Sequence, residues 1–233
     1  MDRKEFLTKA LLGIAAIPVL LEACKDSPTD NETDVCALIP EEDAGPYVLD
    51  LAANPHLFRS DITEGKPGVP LVFTFKVFNV KNNCAPIVNA RVDIWHCDKD
   101  GLYSGFKIPD RTDTTGQTFF RGIQLTDKNG HVTFKTIYPG WYPDRMTHIH
   151  FQVFLNNGLV ATSQVAFPED ITHIVYDSPL YVERGQNMTV VDNINDIAFE
   201  DPIADLPYQL CSITPDPSTG GYNAELAVGV AVT

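Results

Sequence analysis

Short runs that alternate apolar and polar residues, each followed by a turn signal, recur through this chain and confine it to a β-rich fold. They occupy residues 71–80, 90–96, 131–137 and 147–155. Between or after them stand Lys81-Asn82-Asn83, Asp98-Lys99-Asp100-Gly101, Asp127-Lys128-Asn129-Gly130 and Asn156-Asn157-Gly158. The two turns that end in Asn-Gly read as hairpins, because both residues tolerate positive φ. No long window carries a helical period. The predicted fold class is therefore all-β, an antiparallel β-sandwich with long loops that 17 prolines stiffen.

The first residues read as a targeting segment and stand apart from that fold. Arg3, Lys4 and Lys9 precede an apolar run at 10–21, too short to span a bilayer, which ends in Leu21-Glu22-Ala23-Cys24. A small residue before a cysteine at that place resembles a lipoprotein signal in which Cys24 is acylated. Residues 3–9 also resemble a variant twin-arginine signal, with Lys4 in place of the second arginine. The expected organisation is a signal peptide over 1–23, a polar tether over 24–34 and one domain over 35–233. The expected location is the cell envelope, exported and lipid-anchored. Four cysteines then remain, Cys36, Cys84, Cys97 and Cys211, and an even number in an oxidising compartment fits two disulfides without choosing their pairing.

A formal charge of −14 leaves no basic surface for nucleic acid or anionic lipid. Chemistry concentrates in one stretch, 136–150. Residues i and i+2 of a strand share a face, so His148 and His150 present two imidazoles together while Ile149 turns inward. Alone, that pair is a weak signal that zinc hydrolases and cupins also carry. Here it is accompanied by phenols. Tyr142 lies six residues before His148 in a Pro-rich loop, and Tyr103 follows the turn at 98–101. Phenolate is a hard anion that suits Fe(III).

Ala90-Arg91-Val92-Asp93-Ile94-Trp95-His96-Cys97-Asp98 with Gly101-Leu102-Tyr103-Ser104 resembles the first tyrosine motif of the intradiol ring-cleavage dioxygenases. Residues 120–127 with Gly130 are similar to that family's next strand and turn, residues 139–150 to its second tyrosine, arginine and HxH cluster, and Gly45-Pro46-Tyr47 to its Gly-Pro-aromatic segment. The resemblance runs from about Cys36 to about Gln164. It implies Fe(III) held by Tyr103, Tyr142, His148 and His150, and O2-dependent cleavage of a catechol-type diol to a cis,cis-muconate-type product. It also implies that Tyr142 is the axial tyrosinate, released to take a substrate proton, that Arg145 is the active-site arginine, and that Gln164 is a pocket glutamine. Trp95, Trp141 and Ile149 read as core or as support behind the ligands. Nothing resembles the large helical N-terminal dimerisation region of longer members, so their dimer arrangement is not implied, and the stretch beyond Ile171 resembles nothing.

Two readings compete with the dioxygenase. One is a non-enzymatic β-sandwich binding lipoprotein, and the other is a zinc hydrolase built on the HxH pair. Arg145 has its own plain reading as a surface ion pair with Asp144. Few cations stand near the motifs, which favours a neutral catechol, although Arg59, Arg91, Arg111 and Arg121 are each available to line a pocket.

Overall fold

The run at 71–80 becomes β1 (Pro70–Asn79), whose alternate residues Leu71, Phe73, Phe75 and Val77 are buried. The computed structural model describes residues 36–200 and 202–233. The expected signal peptide, Cys24 and the whole of the tether lie outside the described residues. Beside β1 runs β5 (His131–Ile137), antiparallel, with Phe73 opposite Phe134, and the short β2 (Ala85–Pro86) continues that edge. On the other side lies β9 (Gly221–Val230), followed by β8 (Ser212–Asp216). A second sheet holds β4 (Arg121–Leu125), β3 (Arg91–Trp95), β6 (His148–Leu155) and β7 (Gly158–Ala166) in that order. Phe73, Phe75, Phe134, Ile94 and Phe151 meet in one buried cluster, with the Phe75 and Phe151 rings 4.8 Å apart across the sandwich. Each such side chain contributes roughly 1.5–3 kcal/mol by leaving water.

The β-sandwich is as expected, with three departures. Among the described residues every pairing of named strands is antiparallel except β1 with β9, which runs parallel over Leu71↔Tyr222 to Asn79↔Val230. That strand comes from the end of the chain, where local pattern says nothing about its partner. Of the two Asn-Gly turns, 156–158 does close a hairpin, between β6 and β7, with Asn156 and Asn157 at φ 50° and 65°. The turn at 127–130 does not. It has the local bonding of a turn, with the Asp127 carboxylate accepting from the Asn129 and His131 amides, but it carries the chain from β4 in one sheet to β5 in the other. Third, a helix, α1 (Glu169–Tyr176), follows β7 and buries Thr172, Val175 and Tyr176. Two turns are too short for a period to show in sequence. A second, four-residue helix, α2 (Leu206–Gln209), precedes β8.

The expectation of two disulfides needs correction. Cys36 and Cys84 are joined, tying the start of the domain to the β1–β2 turn. Cys97 and Cys211 are free and buried in separate clusters, Cys211 in the main core and Cys97 in the wall of the site described next. There the Cys97 thiol donates to the Gly140 carbonyl at 3.5 Å. Among the described residues no helix is long and apolar enough to cross a membrane.

Candidate active site

The two histidines of β6 start the site. Ile149 is buried in the core, and His148 and His150 point to the other face of the sheet. On that face β6 is flanked by β3 and β7, which set Trp95 and Gln164 opposite His150. The Trp95 ring lies parallel to the His150 ring, with centroids 5.2 Å apart, and fixes its plane. His148 Nδ1 donates to the Met146 carbonyl at 2.7 Å. A carbonyl can only accept, so the proton sits on Nδ1 and the Nε2 lone pair faces the interior of the site.

Two loops bring the phenols to that lone pair. The Asp98 carboxylate accepts from the Asp100 and Leu102 amides, folding the turn that leads into Tyr103. Gly101 has φ +80°, and a Cβ there would lie 2.1 Å from the Trp141 carbonyl oxygen. A Cβ on Gly140 would lie 2.3 Å from the Lys99 carbonyl oxygen. The tyrosine loops therefore cross backbone against backbone, a contact only glycine permits. The Gly140 amide donates to the Asp98 carbonyl at 3.1 Å and locks the crossing.

As a result four donor atoms from three segments meet. His148 Nε2 is 3.2 Å from Tyr103 Oη, 3.3 Å from Tyr142 Oη and 3.1 Å from His150 Nε2. The structure thus brings together all four residues singled out as ligands. One lone pair cannot satisfy three neighbours, so hydrogen bonding among themselves leaves the group over-converged. Burial pushes the Tyr103 phenol well above its ordinary range and the Tyr142 phenol up to about 12, where Arg145 works against the rise. Burial, then the charge of Arg145, holds both imidazoles neutral, well below the usual histidine range. Neutral imidazoles are metal ligands as they stand, and a bound multivalent cation inverts the cost of ionising the phenols. Two nitrogens and two ionisable oxygens around one point fit a ferric ion. Among the described residues no three His, Cys, Asp or Glu side chains gather to hold a metal, so the capacity of this cluster depends on its tyrosines.

Arg145 and Gln164 lie beside the phenols. Arg145 Nη2 donates to Gln164 Oε1 at 2.6 Å, and Nη1 is 3.5 Å from Tyr142 Oη. Gln164 Nε2 donates in turn to the Asp43 carbonyl. The reading of Arg145 as a surface pair with Asp144 is overturned. Asp144 is exposed, whereas Arg145 is buried and its Nε is 3.0 Å from both carboxylate oxygens of Asp196. Burial alone would lower the guanidinium pKa, but Asp196 and the phenols hold it above the usual value. Sequence reasoning missed Asp196, which lies in a segment without motif or period. The other arginines are committed elsewhere. Arg59 binds the Thr118 and Arg121 carbonyls, Arg91 pairs with Asp93, Arg111 binds the Gly101 carbonyl, and Arg121 is buried against Ser104.

A family model described as Dioxygenase matches residues 44–201. Catechol 1,2-dioxygenase of Acinetobacter baylyi is 27% identical over 199 residues, covering 73% of this chain and 61% of that protein. Hydroxyquinol 1,2-dioxygenase of Corynebacterium glutamicum is 30% identical over 127 residues, 47% of this chain and 39% of that one. The chain thus spans less than two thirds of the length of either of these curated relatives. A solved intradiol ring-cleavage dioxygenase from Tetranychus urticae superposes with a TM-score of 0.74 at 29% identity, covering 84% of this chain and 95% of that one.

Proposed function

Because this chain belongs to the intradiol ring-cleavage dioxygenases, we propose that it cleaves a catechol-type diol with O2 at a ferric ion held by Tyr103, Tyr142, His148 and His150. The observation that carries the reading is the convergence of two phenol oxygens and the His150 Nε2 nitrogen on His148 Nε2, each 3.1–3.3 Å from it. Fe(III), when bound there, would supply the electronic chemistry that lets a catechol and O2 react. The protein's own residues do the rest. Tyr142 Oη, at the less buried side of the cluster, would be a phenolate while the centre holds its ferric ion, and as a phenolate it would take up a proton that an incoming diol gives up. The Arg145 guanidinium, 3.5 Å from that oxygen, offers fixed positive charge to the deprotonated diol. Gln164 accepts from the guanidinium and helps hold its direction, and Tyr103 and both histidines are themselves buried.

An uncharged catechol fits this site better than a carboxylated one, since Arg145 already carries its counter-charge in Asp196. Oxygen uptake across catechol, hydroxyquinol and protocatechuate tests the proposal. Stoichiometric O2 consumption with a ring-opened dicarboxylate from the uncharged diols supports it. Absence of turnover by fully iron-loaded protein refutes it. We place the protein at the cell envelope, exported and anchored through Cys24, with the catalytic domain over residues 35–233. Labelled palmitate incorporation that Cys24→Ser abolishes is the expected result, and label retained in that variant contradicts the anchor.

A further inference from the structure

Asp196 stands outside every motif of the chain, yet it is fully buried against the site. Both its oxygens are 3.0 Å from Arg145 Nε, one also accepts the Met146 amide, and the other accepts the Ala198 amide at 2.9 Å. A guanidinium is a rigid planar fork. A carboxylate that grips its terminal nitrogens would occupy them. One that grips Nε leaves both terminal nitrogens free and fixes where they point. Here they point at Tyr142 Oη and Gln164 Oε1. The segment that delivers Asp196 holds the same loop at further points. Gly185 accepts from Trp141 Nε1, Thr189 accepts from the Asp144 amide, and Asn187 donates to the Arg145 carbonyl. Residues 185–196 therefore brace, from outside, the loop that carries Tyr142 and Arg145.

We propose that Asp196 is a positioning residue of the site, acting through Arg145 to set the charge beside Tyr142 Oη and the incoming diol. The proposal rests on the reading of this centre as a catechol dioxygenase. It is tested by a double-mutant cycle in the iron-loaded enzyme with Asp196→Asn, Arg145→Ala and the pair. Asp196→Asn is expected to lower kcat by about 10–100-fold, the range for a residue that orients another, with KM changed less than about threefold and iron content unchanged. It is also expected to shift the visible phenolate-to-iron absorption, and to add nothing further in the Arg145→Ala background. An additive loss, an unchanged kcat, or a loss that only tracks lost iron overturns it. If Asp196→Asn does not fold, Asp196→Glu keeps the charge but displaces the grip. A lowered kcat with full iron supports the role, and a variant indistinguishable from the parent overturns it. A parent enzyme that cleaves no catechol sinks the proposed function instead, while the absorption shift still reports on Asp196.

Discussion

Tyr103 and Tyr142 place phenol oxygens within about 0.1 Å of the same distance from His148 Nε2, at 3.2 and 3.3 Å, but they are held in opposite ways. Tyr103 has no exposed surface, its ring is stacked on Tyr47 at 4.5 Å, and its carbonyl accepts from the Thr114 hydroxyl. Tyr142 is half-exposed in the loop between β5 and β6, next to Pro143, and its hydroxyl has Arg145 as its charged neighbour. Burial raises both phenols, Tyr103 far more. The contrast separates two jobs that one residue type performs in the same cluster. On the proposed function, Tyr103 would be a fixed post whose ionisation a bound cation supports against burial. Tyr142, on the same reading, is the phenol that would exchange its proton with what enters the site.

The comparison breaks most visibly if the two tyrosines are removed one at a time. Tyr103→Phe is expected to empty the centre, with iron content and turnover both falling by more than the roughly 100-fold attached to supporting contacts. Tyr142→Phe is expected to keep its iron but lose about 10²–10⁴-fold in kcat, the range for a proton-transfer group, as steady-state kinetics on metal-quantified protein will show. Equal iron loss in both variants would erase the distinction. Gly101→Ala strikes the crossing that serves both loops. With a Cβ 2.1 Å from the Trp141 oxygen at φ +80°, it should cost about 2–4 kcal/mol and lower the melting temperature by roughly 5–15 °C.

The smallest effect concerns a histidine that is not a ligand. His96 is fully buried between the Cys97 carbonyl and the Thr136 hydroxyl, and burial lowers its pKa from 6.5 to about 4. Between those values the unfolded chain takes up a proton that the folded chain refuses. Stability contributed by the neutral ring is therefore complete above about pH 6.5 and is lost as pH falls toward 4. Melting temperature should drop across that window, and His96→Gln should flatten the drop. An equally steep decline in the variant would assign it to other groups.

Much of the centre was legible because strand geometry is local. Period two put His148 and His150 on one face, and Gly101 followed by Tyr103 marked a turn with a phenol behind it. The resemblance then joined segments that no periodicity connects. Asp196 was not legible, since what gives it meaning is a partner 51 positions away on another loop. The parallel place of β9 beside β1, the crossover at 127–130 and the unpaired Cys97 and Cys211 share that cause. Each depends on where a segment lands in three dimensions, which its own residues do not encode.

The most direct measurement is metal analysis joined to the visible absorption spectrum of the ferric-loaded protein. The account predicts a single tightly held iron with a phenolate-to-iron absorption that Tyr103→Phe abolishes. A fully iron-loaded but colourless protein, or one that takes up zinc in preference at the same site, would contradict it.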